Sequence, residues 1–362
     1  MLETDTQKSI TTKSGPVLPG TRRIETPEQT SSPQPTRAEA CGKAIIVGEH
    51  AVVYGATAVA MPVQSMHIHV QLSPVRNSRG QVVFAESGER PTVRLMLGRK
   101  RASEHLTAVV EDAFALLGIR PFSVDIEGHS SVLMGGGLGS SAALCVVTLR
   151  ALAASVGIKL GAGDLALLAN QLEARFHGKP SGLDTAVVAH ERLIAFRRGT
   201  PPVAFAAASP NGTTGDGAGW SFALIDSGMR APTIAMIKLA APFFAGSAGD
   251  ARVKRFDTHA TTSMRALASG RIDDLAGAMS EAQTLLSEAG VATAPLVEIS
   301  DESVRCGALA AKITGAGGGG CVLALLHPDR VGETLASLEA QFGKSKVHAI
   351  HLGTSASSRG PA

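Results

Sequence analysis

The sequence predicts an α+β protein of two domains, and three observations carry that expectation. The chain has 362 residues with 44% hydrophobic and 18% charged content, enough apolar material for two globular cores. Short segments with a two-residue apolar period are interspersed with longer ones whose apolar residues recur at three and four. A stretch rich in Gly, Pro, Ser and Thr near residues 200–218 then separates two such blocks.

The N-terminal 38 residues are rich in Thr, Ser, Pro and Gln and have no apolar period, which predicts a disordered tail. It has no hydrophobic signal core, and Glu3, Asp5, Glu25 and Glu28 argue against an organelle transit peptide. Ala44 to Val47 reads as a buried strand. In residues 66–72, Met66, Ile68, Val70 and Leu72 alternate with His67, His69 and Gln71, the pattern of a half-exposed strand. His67 and His69 read as solvated rather than as metal ligands, since no nearby carboxylate or cysteine completes a set. Residues 104–117 are helical in pattern and stop at Gly118, and Phe122, Val124 and Ile126 alternate as a further strand.

Next comes GGGLGSSAA, residues 135–143, opening a helical run, and Leu165, Leu168, Leu172 and Phe176 mark another helix with Asp164 as its expected N-cap. Beyond residue 220 the pattern is a strand FALID, helices around 232–240, 250–269, 271–289 and 329–341, and a closing strand VHAIHLG.

Several function classes are disfavoured. Net charge is +3 and no basic run exceeds Arg99-Lys100-Arg101, so nucleic acid is not an expected partner. No apolar run reaches the roughly 18 residues of a membrane span. Cys41, Cys145, Cys306 and Cys321 lack metal-site spacing and read as reduced, buried thiols of a cytoplasmic enzyme.

The glycine loop carries the first chemical signal. Glycines permit positive φ and remove side chains that block an approaching ligand, so successive backbone N–H groups can converge on an anion. The helix that follows adds its positive end, and Ser140 and Ser141 supply hydroxyls. The spacing is neither that of a Walker loop nor that of a dinucleotide fingerprint.

Two further stretches set this loop in context: GKAIIVGEHAVVYG, residues 42–55, and KITGAGGGGCVLALL, residues 312–326. In this order the three resemble the motifs of the superfamily of galactokinase, homoserine kinase, mevalonate kinase and phosphomevalonate kinase, the GHMP kinases. The first motif, with Gly48-Glu49-His50-Ala51-Val52-Val53-Tyr54-Gly55, resembles the branch that phosphorylates mevalonate. The likeness spans roughly residues 39–355. It implies an N-terminal domain like ribosomal protein S5 over 39–205 and a ferredoxin-like C-terminal domain over 206–355. The active site would lie between them, and residues 356–362 would form a flexible end.

The resemblance also implies roles. Gly135, Gly136, Gly137, Leu138, Gly139, Ser140 and Ser141 correspond to the ATP phosphate loop, with Ser141 and Glu173 as ligands of Mg2+. Asp184 and Lys43 correspond to the catalytic pair, and Glu49, His50 and Thr233 to acceptor contacts. Gly315 to Gly320 would brace the phosphate loop from the other domain. The chemistry suits these residue types. Phosphoryl transfer needs a cation on the phosphates, an oriented hydroxyl and a destination for its proton. ATP and mevalonate are the implied substrates, and a homodimer is compatible with the family.

The sequence departs from the family pattern at Cys41, Met134, Thr185 and His190-Glu191-Arg192, the last where a Gly-Gly pair is usual. These departures bear on the shape of the acceptor loop. The alternatives are a kinase for phosphomevalonate, homoserine or a sugar, with Lys179 and Arg230 as candidate contacts to a phosphorylated acceptor, or a non-catalytic nucleotide or metabolite sensor.

Overall fold

The computed structural model describes residues 32–353 apart from 87–88, 98–99, 102–103 and 213–218. The expected tail, up to residue 31, and the C-terminal end from residue 354 lie outside the described residues, as does much of the expected domain boundary.

The N-terminal domain is a sheet of β1 (Thr36–Val47), β2 (Ala58–Pro74), β3 (Val93–Leu97), β4 (Lys100–Arg101), β5 (Val124–Ser130), β6 (Leu193–Phe196) and β7 (Val203–Phe205). The strand order is β4-β3-β5-β2-β6-β7, with β1 paired to β2. Residues 36–38, assigned from sequence to the tail, therefore belong to the first strand. Its half-buried positions there are Thr36 and Ala38, one polar and one small, which do not register as an apolar period. The long β2 organises the sheet: Met66, Ile68, Val70 and Leu72 are buried while His69 and Gln71 face solvent, the alternation that a one-face-buried strand requires. His69 sits 3.1 Å from Glu39, a carboxylate that sequence spacing did not reveal.

The helices α1 (Glu104–Leu117), α2 (Ser140–Ser155), α3 (Ala162–His177) and α4 (Leu183–His190) complete this domain. α2 is buried on nearly every side, wedged between the sheet and α3, which explains its continuous apolar sequence. Gly161, not Asp164, caps α3. Asp164 lies in the first turn, where its charge still favours the helix's positive end.

The C-terminal domain has strands β8 (Gly219–Asp226), β9 (Ala310–Thr314), β10 (Cys321–Leu326) and β11 (Val347–Gly353). Their order is β11-β8-β10-β9, every pair antiparallel. In chain order this is fourth, first, third, second, the ferredoxin-like arrangement. Its helices are α5 (Thr233–Ala240), α6 (Gly246–Ser269), α7 (Ile272–Glu288), α8 (Ala294–Arg305) and α9 (Val331–Phe342).

The two domains are joined by a seam of specific bonds. Thr314 Oγ1 of β9 accepts from the Ile45 N–H at 2.9 Å and donates to the Ile45 carbonyl at 3.2 Å, so one side chain satisfies both backbone groups of a buried residue in β1. At the edge, Asp257 of α6 accepts from the Thr57 N–H at 2.8 Å and pairs with Arg197 at 2.5 Å. The seam fixes the angle at which the two domains form a cleft.

Candidate active site

The cleft over this seam is a cavity of about 360 Å³ lined from both domains. Its glycine-loop wall is built by Gly135, Gly137, Leu138, Gly139, Ser140 and Ser141. Gly136 is buried beneath Leu133 and Cys321 and does not line the cleft. Gly135, Gly137 and Gly139 have φ of 68°, 79° and 68°, and Gly139 is the residue from which α2 starts. The N-terminus of α2 therefore opens into the cavity.

Lys43 leaves β1 beside this loop, and its backbone N–H donates to the Leu138 carbonyl at 3.0 Å. Its stem runs over Gly139, where a Cβ would lie 2.8 Å from Lys43 Cγ. The ammonium reaches Asp184, in the first turn of α4, at 3.1 Å. The Lys43 side chain is 3% exposed and that of Asp184 is 28% exposed. The carboxylate thus faces the cavity while the lysine approaches it from the interior.

Glu173, on α3, lies behind the glycine loop, and Ser141 Oγ donates to it at 3.1 Å. Burial pushes the Glu173 carboxyl up to about 8, with the nearby Asp184 charge adding to the shift, while the Ser141 hydroxyl and Lys43 oppose it. His177, one turn along α3, is 3.0 Å from Ser141 Oγ. Burial lowers the pKa of this imidazole, and sequence reading did not single it out.

The first motif forms the cleft floor. The Ala51 N–H bonds back to the Glu49 carbonyl at 2.5 Å around His50, whose φ of 56° and ψ of −51° describe a rare γ-turn of positive φ. His50 Nε2 reaches the Ala316 carbonyl at 2.8 Å and so ties this strained turn to the third motif. Glu49 is 1% exposed and forms an ion pair with Lys312 of β9, which is fully buried and also donates to the Ile313 carbonyl at 2.6 Å. The other Glu49 oxygen, Oε2, is buried with no partner among the described residues. Lys312 was invisible as a functional residue from sequence, although a lysine inside the apolar strand AAKIT is itself the signal.

Thr233, at the start of α5, lines the opposite wall with Ala231 and Ile237. Lys179 also lines the cleft, whereas Arg230 is held by Asp226 at 2.7 and 2.9 Å and by the Met134 carbonyl at 2.9 Å. Glu191 adopts an αL conformation at the far end of α4 from Asp184 and pairs with Arg150 at 2.5 Å. The missing Gly-Gly pair is thereby absorbed at a helix end outside the cleft lining.

The third motif packs backbone to backbone on the glycine loop 135–139. A Cβ on Gly315 would lie 2.7 Å from Gly137 Cα, and one on Gly320 would lie 2.8 Å from the Gly136 oxygen. A neighbouring cavity of about 280 Å³ shares Ser140 with the cleft and is lined by Ile68, Leu106, Met134 and Leu144. A further cavity of about 720 Å³ lies on the outer sheet face around His69 and Glu127 and holds none of the motif residues.

A lysine–carboxylate pair, an anion-ready helix end and a hydroxyl–carboxylate pair around one interdomain cleft define a phosphotransferase architecture. The family model for the GHMP kinase N-terminal domain matches residues 104–192 and that for the C-terminal domain matches 263–344. The chain belongs to the GHMP kinases.

Within that family the chain is similar to several mevalonate kinases. It is 32% identical to the enzyme of Aeropyrum pernix over 83% of this chain and 92% of the relative. To that of Pyrococcus horikoshii it is 28% identical, over 84% and 92%. The fold matches the crystal structure of L. major mevalonate kinase in complex with R-mevalonate, with a TM-score of 0.74 at 20% identity over 91% and 99% of the two chains.

Proposed function

We propose that the chain transfers the γ-phosphate of ATP to the 5-hydroxyl of (R)-mevalonate, giving 5-phosphomevalonate for isoprenoid synthesis. The observation that carries this reading is the 3.1 Å contact between Lys43 and Asp184 at the cleft, with the Lys43 stem against Gly139 at the N-terminus of α2. An acceptor alcohol placed between that pair and the helix end lies against an ammonium that stabilises developing negative charge. It also meets a carboxylate that orients the hydroxyl or takes its proton. The Glu49 oxygen left without a partner suits an acceptor hydroxyl, since a buried carboxylate oxygen gains most from a donor.

ATP fits on both sides of Ser140. The glycine-loop amides and the end of α2 favour its phosphates, and the apolar 280 Å³ cavity suits its base. Ser141 and Glu173 fit Mg2+. They are hard oxygen donors, and Glu173 is a buried carboxyl raised by burial and by Asp184, conditions that a nearby divalent cation relieves. When bound, the ion would screen phosphate charge. That so few protein groups converge there agrees with magnesium's habit of keeping waters and phosphate oxygens.

Arg230 is committed to Asp226, which leaves Lys43 and Lys179 as the lysines and arginines lining the cleft. That favours an unphosphorylated acceptor over phosphomevalonate. A cytoplasmic location and a homodimer belong to the same reading, the second open to sedimentation analysis.

The test is ADP release from purified protein across mevalonate, phosphomevalonate, homoserine and galactose, with wild type and Asp184→Ala. Mevalonate is expected to be preferred, and Asp184→Ala to lower kcat by about 10³-fold. A better acceptor than mevalonate overturns the substrate assignment, and near wild-type kcat in Asp184→Ala overturns the mechanism.

A further inference from the structure

The cleft holds a second lysine–carboxylate pair, of which the proposed reaction uses only the free Glu49 oxygen, Oε2, and leaves Lys312 without a role. Lys312 rises from β9 of the C-terminal domain and is fully buried, bonded to Glu49 and to the Ile313 carbonyl. An ammonium removed from water in this way costs several kcal/mol before its pairing is counted. A buried pair of this kind is weak evidence for stability, because well-packed apolar residues often serve as well.

Its position suggests another use. Glu49 lines the same cleft as Lys43 and Asp184, and Lys312 is near enough to Lys43 for the two ammonium charges to repel. Two carboxylates, Glu49 and Asp184, thus share a small low-dielectric space with two ammonium groups, and catalysis requires one particular pairing. With Glu49 held by Lys312, the Lys43 ammonium has Asp184 as its partner.

We propose that Lys312 is a positioning residue for phosphoryl transfer: by holding the Glu49 carboxylate against β9, it keeps Lys43 on Asp184. The inference rests on the roles given to Lys43 and Asp184 above. Burial lowers the Lys312 pKa, an effect opposed by the Glu49 charge and hydrogen bond and reinforced by Lys43. The ionisable groups around Glu49 are Lys312 from β9, Lys43 from β1 and His50 on its own turn. In Lys312→Met the Glu49 carboxyl loses its partner, and of the two lysines left lining the cleft, Lys43 and Lys179, Lys43 is the one within electrostatic reach of the Lys312 position. The Glu49 carboxylate then competes with Asp184 for Lys43.

The experiment measures kcat and KM for wild type, Lys312→Met, Glu49→Gln and the double variant, with folding checked by circular dichroism. Lys312→Met is expected to lower kcat at least about 10-fold more in the Glu49 background than in the Glu49→Gln background. An equal loss in both backgrounds, or no loss, overturns the inference.

If Lys312→Met fails to fold, the double-amide Lys312→Gln/Glu49→Gln protein is compared with Glu49→Gln alone, so that any loss of the acceptor contact at Glu49 is common to both. A kcat within about 10-fold of the Glu49→Gln enzyme supports the inference, and a larger fall overturns it, because Lys312 would then act directly. Asp184→Ala measured alongside separates the two levels. An active Asp184→Ala enzyme sinks the underlying mechanism, whereas an inactive one with an equal Lys312→Met loss in both Glu49 backgrounds sinks only the role of Lys312.

Discussion

The loops 135–139 and 315–320 are both dense in glycines of positive φ, yet they need glycine for different reasons. The first presents backbone to a cavity, and its closest side-chain neighbour at Gly139 is the stem of Lys43. The second presents backbone to backbone: Gly315 meets Gly137, Gly317 meets the Val291 carbonyl and Gly320 meets Gly136. One loop turns most of its bare backbone to the cavity, the other most of it to neighbouring loops, although Gly315 also lines the cavity and Gly137 also meets Thr314 backbone. Glycine content therefore does not identify an anion site until its neighbours are known.

Substitutions can break this contrast. The largest effect is expected for Gly139→Ala, whose Cβ would sit 2.8 Å from Lys43 Cγ and 3.1 Å from its Cε. Displacing that stem takes the ammonium from Asp184, and kcat should fall by about 10³-fold in a protein that remains folded, read by steady-state kinetics beside circular dichroism. Gly315→Ala should act on the fold first. Its Cβ would meet Gly137 backbone at 2.7 Å with φ of 92°. Left-handed strain and overpacking together are expected to cost about 3 kcal/mol, measured by urea unfolding.

The smallest effect concerns the tie between the loops' supports, His50 to Ala316. Burial lowers the His50 pKa, opposed by its bond to the Ala316 carbonyl and by the Glu49 charge. The folded imidazole thus binds protons less readily than the unfolded one. Its contribution is present above about pH 6.5 and is lost as pH falls through that range, because the unfolded chain then takes up the proton. Thermal melts of the ligand-free protein should decline more steeply below pH 6.5 in wild type than in His50→Gln, with the difference between their slopes gone by pH 8. Parallel curves would assign the acid sensitivity elsewhere.

Much of the fold was legible because its signals are periodic. β2 alternates, α1 matches its sequence pattern over 104–117, and α7 carries a broad apolar stripe from Ile272 to Leu286. α8 was not legible, since its buried face is Leu296, Ser300 and Ser303. Those serines satisfy themselves on carbonyls four residues back, so no apolar stripe advertises the helix. α4 is short, and β10 is uniformly apolar, a pattern that helices and strands share.

Within the site, the motifs indicated Lys43, Asp184, Ser141 and Glu173 because resemblance works on local strings. Lys312 and His177 matter through partners 263 and 36 residues away. Only the fold brings such pairs together, and no local pattern records them. The hidden burial of Glu49 has the same origin: its partner lies on the other domain.

Cys321 sits where the two glycine loops meet, its sulfur near Gly136, and burial together with the Asp226 charge pushes its thiol up to about 12. An alkylating reagent has no route to that sulfur while the loops remain apposed. Its labelling rate therefore acts as a clock for their separation, slowed by whatever holds them together and distinguishable from reaction at the half-buried Cys306.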